Sequence, residues 1–356
     1  MGQIIGKTDK GEDIVAYEIS GGILKAKIMN FGANLMELHV KMADGSDRDV
    51  VLGYNNIEDY FDNDPNYGCT VARCANRIGG AEFTIDGEKY TLEKNDNGKN
   101  NLHSGKTSLQ RRLWKTVDEA ADHVSFTYHS PDGDLGFPGN LDITVTYTIK
   151  DNAVIIDYKG ISDKKTIFNP TNHSYFNLKG EGNGDILDTQ VQINADEFTH
   201  SDAESIPDGQ LIDVTGTPMD FRTYHSVGER VDADYEALNQ AGGYDHNYVL
   251  KKTDEFRAPE FDHDDKKEYE AAKFKAADDS IEVSVYTDLP GLQFYSGNYI
   301  SGHDLGKCGK MYPRRGGVAF ETQFFPNAIN VPTFDQPVIE AGKTFATRTV
   351  YKFLAK

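Results

Sequence analysis

The chain has 356 residues, 38% of them hydrophobic, enough apolar material for a large buried core in one big domain or two smaller ones. Lysine plus arginine number 37 against 57 aspartate plus glutamate, a formal charge of −20, so nucleic acid and anionic membrane surfaces are repelled and a neutral ligand suits the field better. Cys69, Cys74 and Cys308 form no paired metal cluster, residues 2–7 open no apolar leader, and no apolar run approaches the ~20 residues of a membrane helix; free thiols in a cytoplasmic chain are the expectation.

In chain order, Leu24, Ala26 and Ile28 alternate with Lys25 and Lys27, the two-residue period of a half-buried strand. After the turn signal Asn30-Phe31-Gly32-Ala33, Met36, Leu38 and Val40 alternate with Glu37, His39 and Lys41, which puts His39 on a polar, solvated face. Asp86-Gly87 marks a hairpin between Phe83 and Leu92, because Asp-Gly tolerates the positive φ angles of a two-residue turn. Residues 109–121 and 226–238 have room for short helices. Leu141, Ile143, Val145, Tyr147 and Ile149 alternate with Asp142 and three threonines, Asp151-Asn152 turns the chain, and Ile281, Val283 and Val285 repeat the pattern before Pro290-Gly291. Residues 251–279 are dense in charge and contain Asp262-His263-Asp264-Asp265-Lys266-Lys267. Acids alternate there with lysines and no EF-hand spacing appears, so a solvated surface hairpin is expected and no metal site. Strand after strand joined by short turns reads as an all-β, mostly antiparallel sandwich or barrel, and without repeats or linkers one domain, 1–356, is the economical division.

Several chemistries drop out for lack of a motif: no His-Glu-x-x-His, P-loop or Gly-x-Ser-x-Gly occurs, and Gly180-Glu181-Gly182-Asn183-Gly184 reads as a turn. Attention falls on Asn169-Pro170-Thr171-Asn172-His173-Ser174-Tyr175-Phe176-Asn177-Leu178, where a histidine with an ordinary pKa of about 6.5 sits among amides, hydroxyls and aromatic rings. A lone histidine near a strand is more often a structural residue, so the neighbouring clusters matter. Four others mix amides, a charge or imidazole, and apolar groups: 75–78, 100–103, 242–247 and 320–330. Such mixtures suit polyols, whose hydroxyls donate and accept while ring faces cover C–H patches. Glu321 follows Phe320 and the apolar approach Gly316-Gly317-Val318-Ala319, so it emerges from a buried strand, where glutamate is rare without a partner or a task.

The ordered set Ala75-Asn76-Arg77-Ile78, Asn101-Leu102-His103, Thr171-Asn172-His173-Ser174-Tyr175-Phe176-Asn177-Leu178, Asp245-His246-Asn247-Tyr248 and Glu321-Thr322-Gln323 resembles the aldose 1-epimerases, or galactose mutarotases, over nearly the whole chain. The resemblance implies a large β-sandwich with a sugar cleft on one concave sheet, His173 as general acid on the ring oxygen and Glu321 as general base on the anomeric hydroxyl. Asn76, Arg77, His103, Asp245 and Gln293 are then expected to hold the remaining oxygens, with Tyr175 beside them. The substrate is expected to be a free aldohexose such as galactose or glucose. Opening a hemiacetal needs one acid and one base, so no cofactor or metal is called for. Phe324, Asn327 and Cys74 depart from the family's common pattern. Asn76, Asn101 and Asn172 serve equally well as turn-forming amides, and His246 reads as structural. Arg111-Arg112 and Arg314-Arg315 leave a hexose phosphate open as substrate, and a noncatalytic sugar-binding protein is the reading from another class.

Overall fold

The two-residue hydrophobic period folds into antiparallel sheets of five, nine and six strands in a computed structural model that describes residues 2–300 and 302–356. Leu141–Lys150 pairs along its whole length with Ala153–Ser162 across Asp151-Asn152, both at positive φ (50° and 61°). Asp86-Gly87 closes its hairpin in the same way, with φ of 52° and 84°. These are the turn residues whose backbones tolerate the left-handed region. The two strands form the middle of the nine-stranded sheet, flanked on one side by Thr344–Ala355, Ile281–Thr287 and Tyr269–Lys275.

The six-stranded sheet runs in the order Tyr175–Phe176, Val318–Gln323, Gly291–Tyr295, Asp245–Leu250, Ala195–Ser201, Pro207–Asp213. It lies against the nine-stranded sheet, and aromatic side chains make the seam. Phe320 stacks on Phe274 with ring centroids 4.4 Å apart, Phe176 meets Tyr351 at 5.0 Å, and the Tyr351 hydroxyl donates to the Phe320 carbonyl at 2.8 Å. Each such ring withdraws from water at a gain of about 1.5–3 kcal/mol. Because side chains alternate across a strand, burying Phe320 and Phe294 in this seam turns Glu321 and Gln293 to the opposite face. That face carries the cleft. Among the described residues, no helix is long and apolar enough to cross a membrane.

Two local expectations are corrected and a third holds. Of residues 109–121, only Leu109–Arg111 makes a helical turn, and Lys115–Glu119 instead pairs as an edge strand with His123–Ser130. Cross-strand pairing there overrides local helix propensity. Residues 226–238 do form short helices, Val227–Arg230 and Glu236–Ala241, the second running past the expected end. His39 is half-buried rather than solvated, with Nε2 3.2 Å from Glu37 and Nδ1 2.9 Å from Asp47. The strand Asp47–Asp49 pairs alongside it and brings the second acid.

Candidate active site

Strand register builds the floor of the site. Gln293 stands opposite Glu321, Tyr295 opposite both Asp245 and Ala319, and Ala319 opposite Tyr175. Counting by twos along each strand places Tyr175, Glu321, Gln293, Tyr295 and Asp245 on one face. His173 precedes this sheet by two residues, and its backbone is tied on both sides, donating to the Cys69 carbonyl at 2.9 Å and accepting from the Gly68 amide at 3.0 Å. The opposite wall is a ribbon in which Arg77–Ile78 pairs with Asn101–Leu102. Asn76 and His103 lie at its ends with φ of 61° and 51°, and the ring Nδ1 of His103 accepts the Asn76 amide at 3.1 Å. That bond leaves the proton of the neutral ring on Nε2.

Together these groups line a cleft of 480 Å³, the size of a monosaccharide site with room for water. Seven of the eight candidates border it directly: Asn76, Arg77, His103, His173, Tyr175, Asp245 and Glu321. Gln293 reaches it through Asp245, to whose Oδ1 its amide donates at 2.6 Å. His173 Nε2 lies 3.5 Å from Glu321 Oε1, and the rings of His103 and Tyr175 flank His173 with centroids 5.3 and 5.0 Å away. His173 Nδ1, Glu321 Oε2 and Gln293 Oε1 are buried without a hydrogen-bond partner among the described residues. Orphaned polar atoms at the bottom of a cleft are what ligand hydroxyls satisfy. Asn247 and Gln323 extend the same face, and their amide atoms are equally unpartnered.

Burial sets the electrostatics. It presses the His173 imidazole down to about 4 and, together with His173 and Arg77, holds His103 well below its usual range. It lifts the Glu321 carboxyl well above the carboxylate range; Asp245 adds to the lift and Arg77 opposes it. His103, His173 and Glu321 also offer ligand atoms within 4.8 Å of one another, close enough to chelate a divalent ion.

The ambiguous asparagines separate. Asn172 spends its amide on the Gly68 carbonyl and the Tyr147 hydroxyl, and Asn101 on the Glu93 carbonyl, so both are structural; Asn76 borders the cleft and also braces the Arg77 amide at 2.8 Å. His246 accepts the Asp245 amide at 3.0 Å and is structural, as its position suggested. Phe324 and Asn327 stand outside the cleft lining, where the Phe324 amide donates to Asn169 and Asn327 accepts the Gly79 amide. Asn66, Tyr295, Tyr299 and Asp304 border the cleft without having been singled out. Tyr295 was legible by its two-residue spacing from Gln293, whereas the others arrive on loops.

The model of the family described as aldose 1-epimerase matches residues 16–352. The chain is 35% identical to the galactose mutarotase of Sus scrofa over 337 residues, covering 95% of this chain and 93% of that one. It is 36% identical to the aldose 1-epimerase of Escherichia coli (strain K12), covering 92% of each. Among solved structures, the galactose 1-epimerase from Lactobacillus acidophilus superposes with a TM-score of 0.83 at 26% identity, covering 100% of this chain and 98% of that one. The aldose epimerase homologue from C. elegans superposes with a TM-score of 0.84 at 28% identity, covering 96% and 99%. With its motifs in order and its site assembled on the same fold, the chain belongs to the aldose 1-epimerase family.

Proposed function

We propose that the protein interconverts the α and β anomers of free aldohexoses such as galactose and glucose. The observation that carries the reading is the buried pair His173 and Glu321, with Nε2 and Oε1 3.5 Å apart at the floor of a sugar-sized cleft. In the ring-opening direction, the Glu321 carboxylate takes the proton of the anomeric hydroxyl while the His173 imidazolium gives one to the ring oxygen. The C1–O5 bond breaks and C1 becomes an aldehyde. Rotation about C1–C2 turns its other face toward the O5 hydroxyl. Closure then returns both protons along the same paths, so the pair ends as it began and no cofactor enters the balance. Asp245 and Gln293 accept and donate hydroxyl hydrogen bonds away from C1, His103 donates through Nε2, and Asn76 and Arg77 close the wall. The Tyr175 ring packs beside His173 and holds its plane.

A free sugar fits this cleft better than a sugar phosphate. Arg77 is its one bordering Arg or Lys among the described residues, and Arg77 is already paired with Asp96 at 3.0 Å. Arg314 and Arg315 bind the Gly242 carbonyl, Arg315 also pairs with Asp232, and Arg111 and Arg112 pair with Asp64 and Asp134. Polarimetry of freshly dissolved α-galactose, α-glucose and their 6-phosphates tests the reading. Catalytic amounts of protein should speed the approach to equilibrium rotation for a free sugar, and an unchanged rate across the panel would leave a sugar-binding protein.

A further inference from the structure

The charged stretch 262–268 keeps Asp262, Asp264, Asp265 and Lys267 exposed, as its composition suggests, but is not solvated throughout. It turns at Asp264 (φ 46°), with a bridge between His263 and Lys266, and carries two side chains inward. The His263 side chain is 8% exposed and that of Glu268 is 0%. A third group, Asp288, comes from the connection between Ile281–Thr287 and Gly291–Tyr295. Ligand atoms of all three lie within 4.8 Å of one another, and none of the three borders the catalytic cleft.

An isolated carboxylate in the interior is costly, so its partners must be accounted for. Both oxygens of Glu268 and both ring nitrogens of His263 are buried without a hydrogen-bond partner among the described residues. Nδ1 and Oε1 approach to 3.0 Å, yet out of line for a hydrogen bond. Two donor atoms that come close without pointing at each other are arranged like ligands of a shared cation. At metal–ligand distances of about 2.0–2.2 Å, neighbouring donors in a tetrahedral site are about 3.3 Å apart. The supporting bonds are also in place. The Glu268 amide donates to Asp262 at 3.0 Å and its carbonyl accepts from Ala258 and Arg257, while Asp288 Oδ1 accepts from Thr347 at 2.5 Å and from the Arg348 amide at 3.0 Å. Outer contacts of this kind fix ligand orientation.

We propose that His263, Glu268 and Asp288 form a binding site for one divalent transition-metal ion of the zinc class, separate from the catalytic cleft. One imidazole and two carboxylates suit such an ion and balance its charge, with a fourth position left for water. Bound there, the ion ties the 254–268 excursion to the Ile281–Thr287 end of the nine-stranded sheet.

The test uses the full chain, treated with a chelator, dialysed and titrated with ZnCl2 by calorimetry. One saturable equivalent per chain and a rise in Tm of about 3 °C or more are expected. His263→Gln and Glu268→Gln should each weaken zinc binding at least ~10-fold, since losing even an outer-shell partner of a metal ligand costs about that much. His103, His173 and Glu321 are a rival cluster, so the titration is repeated in His173→Asn. Binding retained there supports the proposal, and binding lost there places the ion in the cleft and overturns it. Should the 263 or 268 variants fail to fold, zinc-edge anomalous diffraction from crystals of the unaltered chain soaked in ZnCl2 decides. A peak within about 2.0–2.2 Å of the three ligands is expected. Absence of that peak, or of stoichiometric binding, overturns the proposal and leaves a proton-sharing histidine and glutamate.

Discussion

His173 Nε2 lies 3.5 Å from Glu321 Oε1, and less than a tenth of either side chain reaches solvent. At that depth desolvation outweighs mutual attraction, with the imidazole pressed down to about 4 and the carboxyl lifted well above its usual range. The two shifts run in opposite senses, so a single proton shared by the pair is favoured on Glu321 over His173. In the proposed mechanism this is the state that matches the open aldehyde, with the carboxyl ready to return a proton to O1 and the imidazole to receive one from O5. Moving the proton between the two groups gives the state that matches the ring, without any exchange with solvent.

The sign of the pH dependence follows. If one shared proton is required, kcat/KM should climb as pH rises through about 4, where the His173 imidazolium is lost, and fall as pH rises through the Glu321 value. The limbs are thus assigned in the reverse of the order that ordinary pKa values give. Glu321→Gln should remove the alkaline limb from the residual activity, and His173→Asn the acid limb. Rates corrected for spontaneous mutarotation check this, and a Glu321→Gln profile lacking its acid limb would reverse the assignment.

In the proposed mechanism each of those variants removes a general catalyst and should lose on the order of 10²–10⁴-fold in rate. Because the two side chains pass protons through one substrate, the double variant should cost far less than the product of the single losses. Near-normal turnover by either folded single variant would overturn the mechanism.

Much of this molecule is legible in its sequence, for identifiable reasons. A two-residue period bounded by Asp-Gly or Asp-Asn dictates a strand and its turn locally, which is why 141–158 and 83–92 fold as expected. The candidate residues were legible through the order of their motifs. What lies beyond local reading is register. That Asp245, Gln293 and Glu321 share one face depends on which residues of three distant strands stand opposite one another. Burial is equally non-local: residues 262–268 look solvated in composition, yet tertiary packing covers Glu268 completely. The direction of the His173 and Glu321 shifts needed the same knowledge, since attraction and desolvation push in opposite senses.

Stability offers an independent check at Arg73, which is wholly buried and has no carboxylate in contact. Its guanidinium makes five hydrogen bonds: to the Ser130 hydroxyl and to the carbonyls of Pro138, Ser130, Pro131 and Gly139. Arg73→Met keeps the bulk but strands those carbonyls, and a buried unsatisfied group costs about 1–3 kcal/mol. With several stranded at once, a loss of about 3 kcal/mol or more is expected, read from the urea midpoint at unchanged slope. A loss under ~1 kcal/mol would mean that water replaces the guanidinium.

The last prediction concerns how Asp245 and Gln293 divide the work of holding the sugar. Gln293 donates to Asp245 Oδ1 at 2.6 Å, while its own Oε1 is buried and unpartnered. In the proposed binding mode that bond aims the carboxylate and occupies one acceptor site of one oxygen, while its remaining sites and the Gln293 carbonyl accept sugar hydroxyls. Losing a hydrogen bond to a charged group costs about 1.5–3 kcal/mol, so Asp245→Ala should lower kcat/KM by roughly one to two orders of magnitude. Gln293→Ala should cost less, because it removes a neutral acceptor and the orientation of Asp245 while Asp245 keeps its charge. In the Asp245→Ala background there is nothing left to orient, so Gln293→Ala should then have a smaller effect than in the unaltered protein, a coupling of about 0.5–3 kcal/mol in the double-mutant cycle. Steady-state kinetics on all four proteins with the preferred sugar measures it. Strictly additive losses would mean that the two side chains hold separate hydroxyls and that the 2.6 Å bond does not position Asp245 for binding.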